Sequence, residues 1–270
     1  MKNNKLRLFL GGDVFNSVGL DCVRSLLPGF LRDNAVDFCV MNGENASLGI
    51  GLSASDARIL LDAGVDVITG GNHSFEKRDF WPLFDSMSEL LRPDNFPPAH
   101  VPGRGFAVFE KEGRKWAVLN LQGREDMSPL DCPFRAADAA CERLSVTESA
   151  FPIPLIIDFH AESSAEKEAL GFYLDSRATA VVGTHTHVQT ADERILPGGT
   201  AYMTDLGMTG ATNSVIGVDP ALAIKRNITQ VLYRMEAAAG PGVLRGLLVD
   251  IEPETARATA VERISVTDGI

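Results

Sequence analysis

The stretch "VVGTHTHVQTAD", residues 181–192, sets an apolar run directly against two histidines, His185 and His187. The valines read as a buried strand, and the change to Gly, Thr and His reads as its carboxyl end. In an extended segment, residues two apart project to the same side. Both imidazoles are therefore expected to reach one place at the edge of a sheet. A His-x-His pair alone fits a surface accident as well as it fits a metal site. The rest of the chain has to decide.

Working outward, the same arrangement recurs. Strand-like runs lie at 6–13 (LRLFLGGD), 36–45 (VDFCVMNGEN), 65–73 (VDVITGGNH), 115–123 (KWAVLNLQG), 154–160 (PLIIDFH), 179–187 (TAVVGTHTH) and 200–207 (TAYMTDLG). Each carries Gly, Asn or His at or near its end. Helical patterns fill several gaps: 53–64 carries Ser53 as N-cap, Asp56 at N3 and Gly64 as stop, and 164–177 is amphipathic. The tail, 242–266, reads as two antiparallel strands joined by the polar "EPET". Strands alternating with helices predict an α/β fold, whose ligands gather beyond the carboxyl ends of the strands.

That rule turns scattered polar residues into one expected site. Asp13, Glu44, Asn45, Asn72, His73, His160, His185 and His187 all lie at or just past predicted strand ends. Each has an ordinary reading taken singly. Asp13 could cap a helix, Asn45 and Asn72 could serve turns, Glu44 could be a solvated charge, and His160 a satisfied core histidine. All those readings would have to hold together, and strand ends drawn from at least five chain segments make that improbable. His100, among prolines, has no such company and receives no role. Imidazoles, carboxylates and amide oxygens without thiolate suit iron, manganese, cobalt, nickel or zinc better than calcium. A shared carboxylate can hold two ions about 3.5–4 Å apart, an arrangement that polarises phosphoryl oxygens and activates water near neutral pH. Phosphoester hydrolysis needs both services.

Composition limits the alternatives. The 270 residues are 45% hydrophobic and 23% charged, enough for a sizeable core. The net charge of −11 carries no basic patch of the kind that binds a nucleic-acid backbone. No apolar stretch approaches the roughly 20 residues of a membrane span, and the start, "MKNNKLRLFLGGD", is not expected to act as a secretory leader, since its apolar part is short and runs directly into Asp13. A cytoplasmic protein is expected. Cys22, Cys39, Cys132 and Cys141 are far apart, and buried thiols are expected.

The segments "GGDV", "NGENA", "GGNH", "DFHAE" and "GTHTHVQTADERILPGGTAYMTDLGMTG", with "RPDNFPP", "PLDCPFRAAD" and "ALAIKR" between them, resemble in order and spacing the YmdB-like family of bacterial calcineurin-type metallophosphoesterases. The likeness runs from Leu6 to Ile264. It implies a calcineurin-like fold, a layered αββα sandwich formed by residues 1–270 as a single domain, with the metal site at the strand carboxyl ends. It implies two divalent or trivalent ions per chain, iron foremost, with manganese, cobalt or zinc as alternatives. Asp13 and His187 would hold the first ion with Asn45 as a further contact. Asn72, His160 and His185 would hold the second, Glu44 would bridge, and His73 would be the catalytic acid. The implied activity is hydrolysis of 2′,3′-cyclic nucleotides, 2′,3′-cAMP above all, by metal-activated hydroxide. A broader phosphodiesterase or phosphomonoesterase, or a non-catalytic nucleotide-binding regulator, are the alternatives; His73 argues against the last. A homo-oligomer is implied too. The chain departs from the family at Phe15-Asn16, commonly Val-Gly, and at Phe75-Glu76, commonly Trp-Asp.

Overall fold

The computed structural model describes residues 5–97 and 100–267. Among these residues thirteen strands form two sheets, and all seven of the predicted runs contribute to them. The first sheet takes β1 (Leu6–Gly11), β2 (Asp13–Val14), β3 (Phe38–Asn42), β4 (Val67–Thr69), β11 (Met208–Ala211), β12 (Gly242–Glu252) and β13 (Arg257–Thr267). The second takes β5 (Phe106–Lys111), β6 (Arg114–Gln122), β7 (Leu155–His160), β8 (Ala180–Thr184), β9 (Arg194–Ile195) and β10 (Ala201–Met203).

Within the first sheet β1, β3 and β4 run parallel, and within the second β6, β7, β8 and β10 do. Parallel strands deliver their carboxyl ends to one edge, which is where the polar residues converge. The tail is the expected hairpin, with β12 antiparallel to both β1 and β13. The predicted run 200–207 divides differently. Its β10 belongs to the second sheet, and the chain then crosses so that β11 joins the first.

The six α-helices among the described residues are α1 (Asn16–Asp33), α2 (Ala54–Asp62), α3 (Leu83–Ser86), α4 (Pro133–Ser145), α5 (Ser164–Tyr173) and α6 (Pro220–Thr229). Period-two alternation in the strands builds three apolar layers. Phe9, Met41, Leu244 and Leu248 face Val23 and Leu27 of α1 and Leu60 of α2. Leu8, Leu10, Val40, Leu247 and Val249 meet Val118, Ile156, Val182 and Met203 between the sheets. Leu119, Ile157, Phe159 and Val181 pack on Ala137 and Ala140 of α4 and Leu170 of α5. Each fully buried aliphatic contributes about 1.5–3 kcal/mol relative to exposure. The result is helix, sheet, sheet, helix.

The Ser53 hydroxyl accepts from Asp56 N at 3.2 Å, and Gly64 adopts φ +104 just past α2. Both match the capping pattern. Asp13 caps nothing: Phe15 precedes α1 without a side-chain cap. Cys22 and Cys39 are buried, but Cys132, at the N-cap of α4, and Cys141, within it, are only half-buried. No helix among the described residues is long and apolar enough to cross a membrane.

Candidate metal centre

His160, last residue of β7, sits at the heart of the site and is fully buried. Its Nδ1 lies 3.0 Å from Thr184 Oγ1, and that hydroxyl donates onward to Asp158 Oδ1 at 2.7 Å. Thr184 must therefore accept from His160, which puts the proton on Nδ1 and turns Nε2 inward. Around Nε2, at 3.0 Å each, stand Asn72 Oδ1, Glu44 Oε1 and His185 Nδ1. The outward Nε2 of His185 lies 3.0 Å from Glu162 Oε2, so its inward nitrogen is Nδ1. Glu44, His160 and His185 bring ligand atoms within 4.8 Å of one another.

A second group adjoins the first. Asp13 is completely buried; Oδ2 accepts from His185 N at 3.1 Å, while Oδ1 is buried with no hydrogen-bond partner among the described residues. The Nδ1–H of His187 donates to the Ile216 carbonyl at 2.9 Å, leaving Nε2 to face Asn45 Nδ2 at 3.1 Å. Asn45 Nδ2 also donates to Glu44 Oε1 at 3.2 Å. Asn45 thus joins the cluster through its amide nitrogen, whereas ligation requires the oxygen.

His185 and His187 do not reach the site as an extended pair. β8 ends at Thr184, and the two residues adopt φ +104 and +64. Each imidazole is delivered by a left-handed turn of its own, and each serves a different part of the cluster. Two such conformations in non-glycine residues cost about 1–3 kcal/mol apiece, a strain found where structure serves a site.

Burial pushes the Asp13 carboxyl up to about 6, against the opposing pull of His187 and His160. Burial would raise Glu44 as well, but the positive charge of His160, its hydrogen bond and His73 prevail and lower it to about 2. Desolvation would lower His160, yet Glu44, Asp13 and Asp158 together outweigh it and draw the imidazole up to about 9. Burial, reinforced by His160, depresses His185 to about 4, leaving it a neutral donor at pH 7.

His73 stands beside this cluster without entering it. Its backbone N–H donates to Glu44 Oε2 at 2.8 Å, and its imidazole is 32% exposed. Glu76 Oε1 lies 3.7 Å from its Nδ1, too far for a hydrogen bond. Gly71 makes the approach possible. A Cβ there would fall 2.3 Å from His160 Cδ2 and 2.4 Å from Glu44 Oε2.

The residues behind the ligands drew no notice in the sequence. Asp158 accepts from Thr69 and Thr184 hydroxyls and from Asn42 Nδ2, and Asn42 Oδ1 in turn accepts from Glu44 N. Asn120 brackets Gly70, receiving its N–H and donating to its carbonyl. A signal existed for Asp158, which lies two residues before His160 and so on the same face of β7.

The two family departures have local explanations. Asn16 adopts φ +56, a left-handed conformation that Gly and Asn accept most readily. Phe15 packs edge-on against His187 with centroids 5.4 Å apart. Phe75 fills an aromatic nest with Trp81, Phe84 and Phe96.

Whether this donor set fits metal ions is decided by Asp13 Oδ1, an orphaned buried carboxylate oxygen, and by the inward imidazole nitrogens. Carboxylate and imidazole donors aimed at one small volume, each braced from behind, suit first-row transition ions. They fit. Facing mixed sheets with such a cluster on their common edge define a metallophosphoesterase, a class that uses divalent metal. Comparison with known proteins carries this further: the model of the YmdB-like protein family matches residues 8–264, and the chain belongs to that family. It is 44% identical over 264 residues to the 2′,3′-cyclic-nucleotide 2′-phosphodiesterase of Bacillus subtilis (strain 168), covering 97% of this chain and 98% of that one. Among solved structures, a novel phosphatase from Mycoplasma pneumoniae superposes with TM-score 0.90 at 30% identity, covering 99% of this chain and 95% of that one. A hypothetical protein from Thermus thermophilus superposes with TM-score 0.88 at 36% identity, covering 98% of this chain and 100% of that one.

Proposed function

We propose that the chain hydrolyses nucleoside 2′,3′-cyclic phosphates at the 2′ oxygen, leaving a 3′-phosphate, with 2′,3′-cAMP preferred. The observation that carries this is the division of the site. Two adjoining donor groups meet at Glu44, and His73 is anchored to the same carboxylate with its ring left free. The curated B. subtilis relative bears that activity in its name.

In this reading Asn72, His160 and His185 would hold one ion, Asp13 and His187 would hold the other, and Glu44 would serve both. Asn45 orients His187 and Glu44 through its NH2 and contributes its oxygen only if the amide turns. Bound ions would supply Lewis acidity toward the phosphoryl oxygens and make water a better nucleophile near neutral pH. The residues do the remaining work. Thr184 and Asp158 keep the His160 proton on Nδ1, and Glu162 does the matching service for His185. His73 gives a proton to the departing 2′ oxygen, an alkoxide that leaves poorly without one. The five-membered cyclic phosphate is strained, which favours it over the 3′,5′ isomer.

Iron is the proposed metal, with manganese, cobalt or zinc as alternatives that nitrogen and oxygen donors without thiolate also suit. A cytoplasmic location is supported by four free cysteines. A single-domain chain is supported by the core shared between the sheets. Self-association is supported by the exposed Ile224, Ile228 and Leu232 on and after α6. The test is a substrate panel on metal-reconstituted protein, with products identified by phosphorus NMR. Among substrates with a free 5′ hydroxyl, adenosine 2′,3′-cyclic phosphate should be turned over fastest and yield the 3′-phosphate. Faster cleavage of p-nitrophenyl phosphate, a monoester, would replace this reading with a phosphomonoesterase.

A further inference from the structure

Apart from His187, Arg245 is the one ionisable group among the described residues lining a cavity of about 330 Å³ that opens next to the metal centre. The volume lies at the lower end of small-molecule sites, about 300–1,000 Å³. The remaining lining is uncharged, and includes Gln189, Met208, Thr212, Ser214 and Ser265.

Strand register fixes where this arginine stands. β12 runs antiparallel to β1, so its first residues meet the carboxyl end of β1, with Gly246 opposite Gly11. The Arg245 carbonyl accepts from Gly12 N at 3.1 Å, one residue before Asp13, and its N–H donates to Thr209 Oγ1 at 3.2 Å. On the other side Arg245 pairs with Ser265 of β13. The backbone is therefore held on three sides. Its guanidinium, half-buried, has no ion pair or hydrogen bond among the described residues. Burial alone depresses its pKa, with no acid opposing that effect. A planar cation of five donors, half-buried and unneutralised in a chain of net charge −11, is suited to an anion of fork geometry such as phosphate.

The larger cavity of about 550 Å³ offers a contrast. It lies at the far end of β1, away from the cluster; its Lys5, Arg7 and Lys111 are paired with Asp250 and Asp66, while Arg114 keeps a buried Nη1 without a hydrogen-bond partner among the described residues. Of the two, only the Arg245 cavity shares a wall, His187, with the cluster.

We propose that this cavity receives a second phosphate of the substrate, the one carried on the 5′ oxygen of a nucleoside 2′,3′-cyclic phosphate, with Arg245 as its anchor. The ribose then bridges the two sites, its cyclic phosphate at the metal centre and its 5′ oxygen toward Arg245. The preferred substrates are accordingly 5′-phosphorylated mononucleotides. This inference rests on the cyclic-nucleotide reading and adds a substrate class to it.

The experiment compares kcat/KM for adenosine 2′,3′-cyclic phosphate and its 5′-phosphorylated counterpart, using the full chain reconstituted with metal. The unaltered protein should favour the 5′-phosphorylated substrate by about tenfold or more, as expected of one charge-assisted phosphate contact. That preference should shrink as salt rises. Arg245→Gln should abolish it and Arg245→Lys should keep part of it. The ratio is the readout, since damage to the metal cluster lowers both rates alike. A ratio near one in the unaltered protein overturns the proposal while leaving the hydrolase reading intact, as does a preference that survives Arg245→Gln. Arg245-dependent inhibition by inorganic phosphate without any 5′ preference assigns the cavity to free phosphate and also overturns it. Turnover of neither substrate removes both readings.

Discussion

Replacing Thr184 with Val tests how the cluster keeps its donors aimed. Val matches Thr in shape and lacks the hydroxyl that accepts from His160 Nδ1 at 3.0 Å and donates to Asp158 Oδ1 at 2.7 Å. The variant buries an unpartnered imidazole N–H and deprives Asp158, whose pKa burial already raises, of one of its three side-chain donors. A buried group left unsatisfied costs about 1–3 kcal/mol, and loss of a partner behind a metal-binding histidine lowers metal affinity about 10–100-fold. Thr184 is itself no ligand. Thr184→Val should therefore fold, with a reduced melting temperature, and bind manganese about 10–100-fold more weakly by isothermal titration. Thr184→Ser, which keeps the oxygen, should recover most of that affinity. Unchanged affinity in Thr184→Val would refute the claim that this hydroxyl sets the inward tautomer of His160.

Glu44→Gln removes the charge common to both donor groups, so elemental analysis should find loss at both sites; full occupancy with normal turnover would contradict the bridging role. Metal must displace a proton from His160, whose pKa in the folded protein stripped of metal is about 9. Affinity should therefore strengthen as pH rises toward about 9 and level off above it, and a flat profile below about 9 would count against it. The same raised pKa means that His160 stabilises the stripped protein fully below about 6.5 and that this stabilisation fades as pH climbs through about 9, which thermal melts can follow. At Asn16, φ +56 makes Asn16→Gly near neutral, whereas Asn16→Val should destabilise by about 1–2 kcal/mol in chemical denaturation; equal stability of the two variants would refute the strain assignment.

Much of the site was legible because sheet direction does the gathering. Apolar runs marked the strands, and parallel strands send their carboxyl ends to one edge, so residues from 13 to 187 could be placed together without coordinates. Geometry finer than that was not legible. Period-two alternation placed His185 and His187 on one side, yet left-handed turns deliver each of them separately, and no local residue preference announces φ +104 at a histidine. Helix α1 was anticipated only as a helix that Asp13 could cap, and its extent was not legible, since Phe15 gives it no polar cap and Pro28 and Gly29 interrupt its pattern; it is held by packing of Gly19, Val23 and Leu27. The orientation of Asn45 depends on which of two near-identical ends of an amide meets His187. Arg245 sits in a strand far along the chain, and only the antiparallel return of β12 beside β1 carries it to the edge where Asp13 lies.

The central claim is that the imidazoles divide their labour, with His160, His185 and His187 holding metal while His73 handles a proton. It is tested most directly by His73→Ala, with metal content and two rates measured on one preparation. The expected result is full metal content and a loss of about 10²–10⁴-fold toward adenosine 2′,3′-cyclic phosphate, whose leaving oxygen needs a proton. Toward bis(p-nitrophenyl) phosphate, whose phenolate departs without one, the loss should be far smaller. Equal losses on both substrates, or loss of a metal ion, would contradict it.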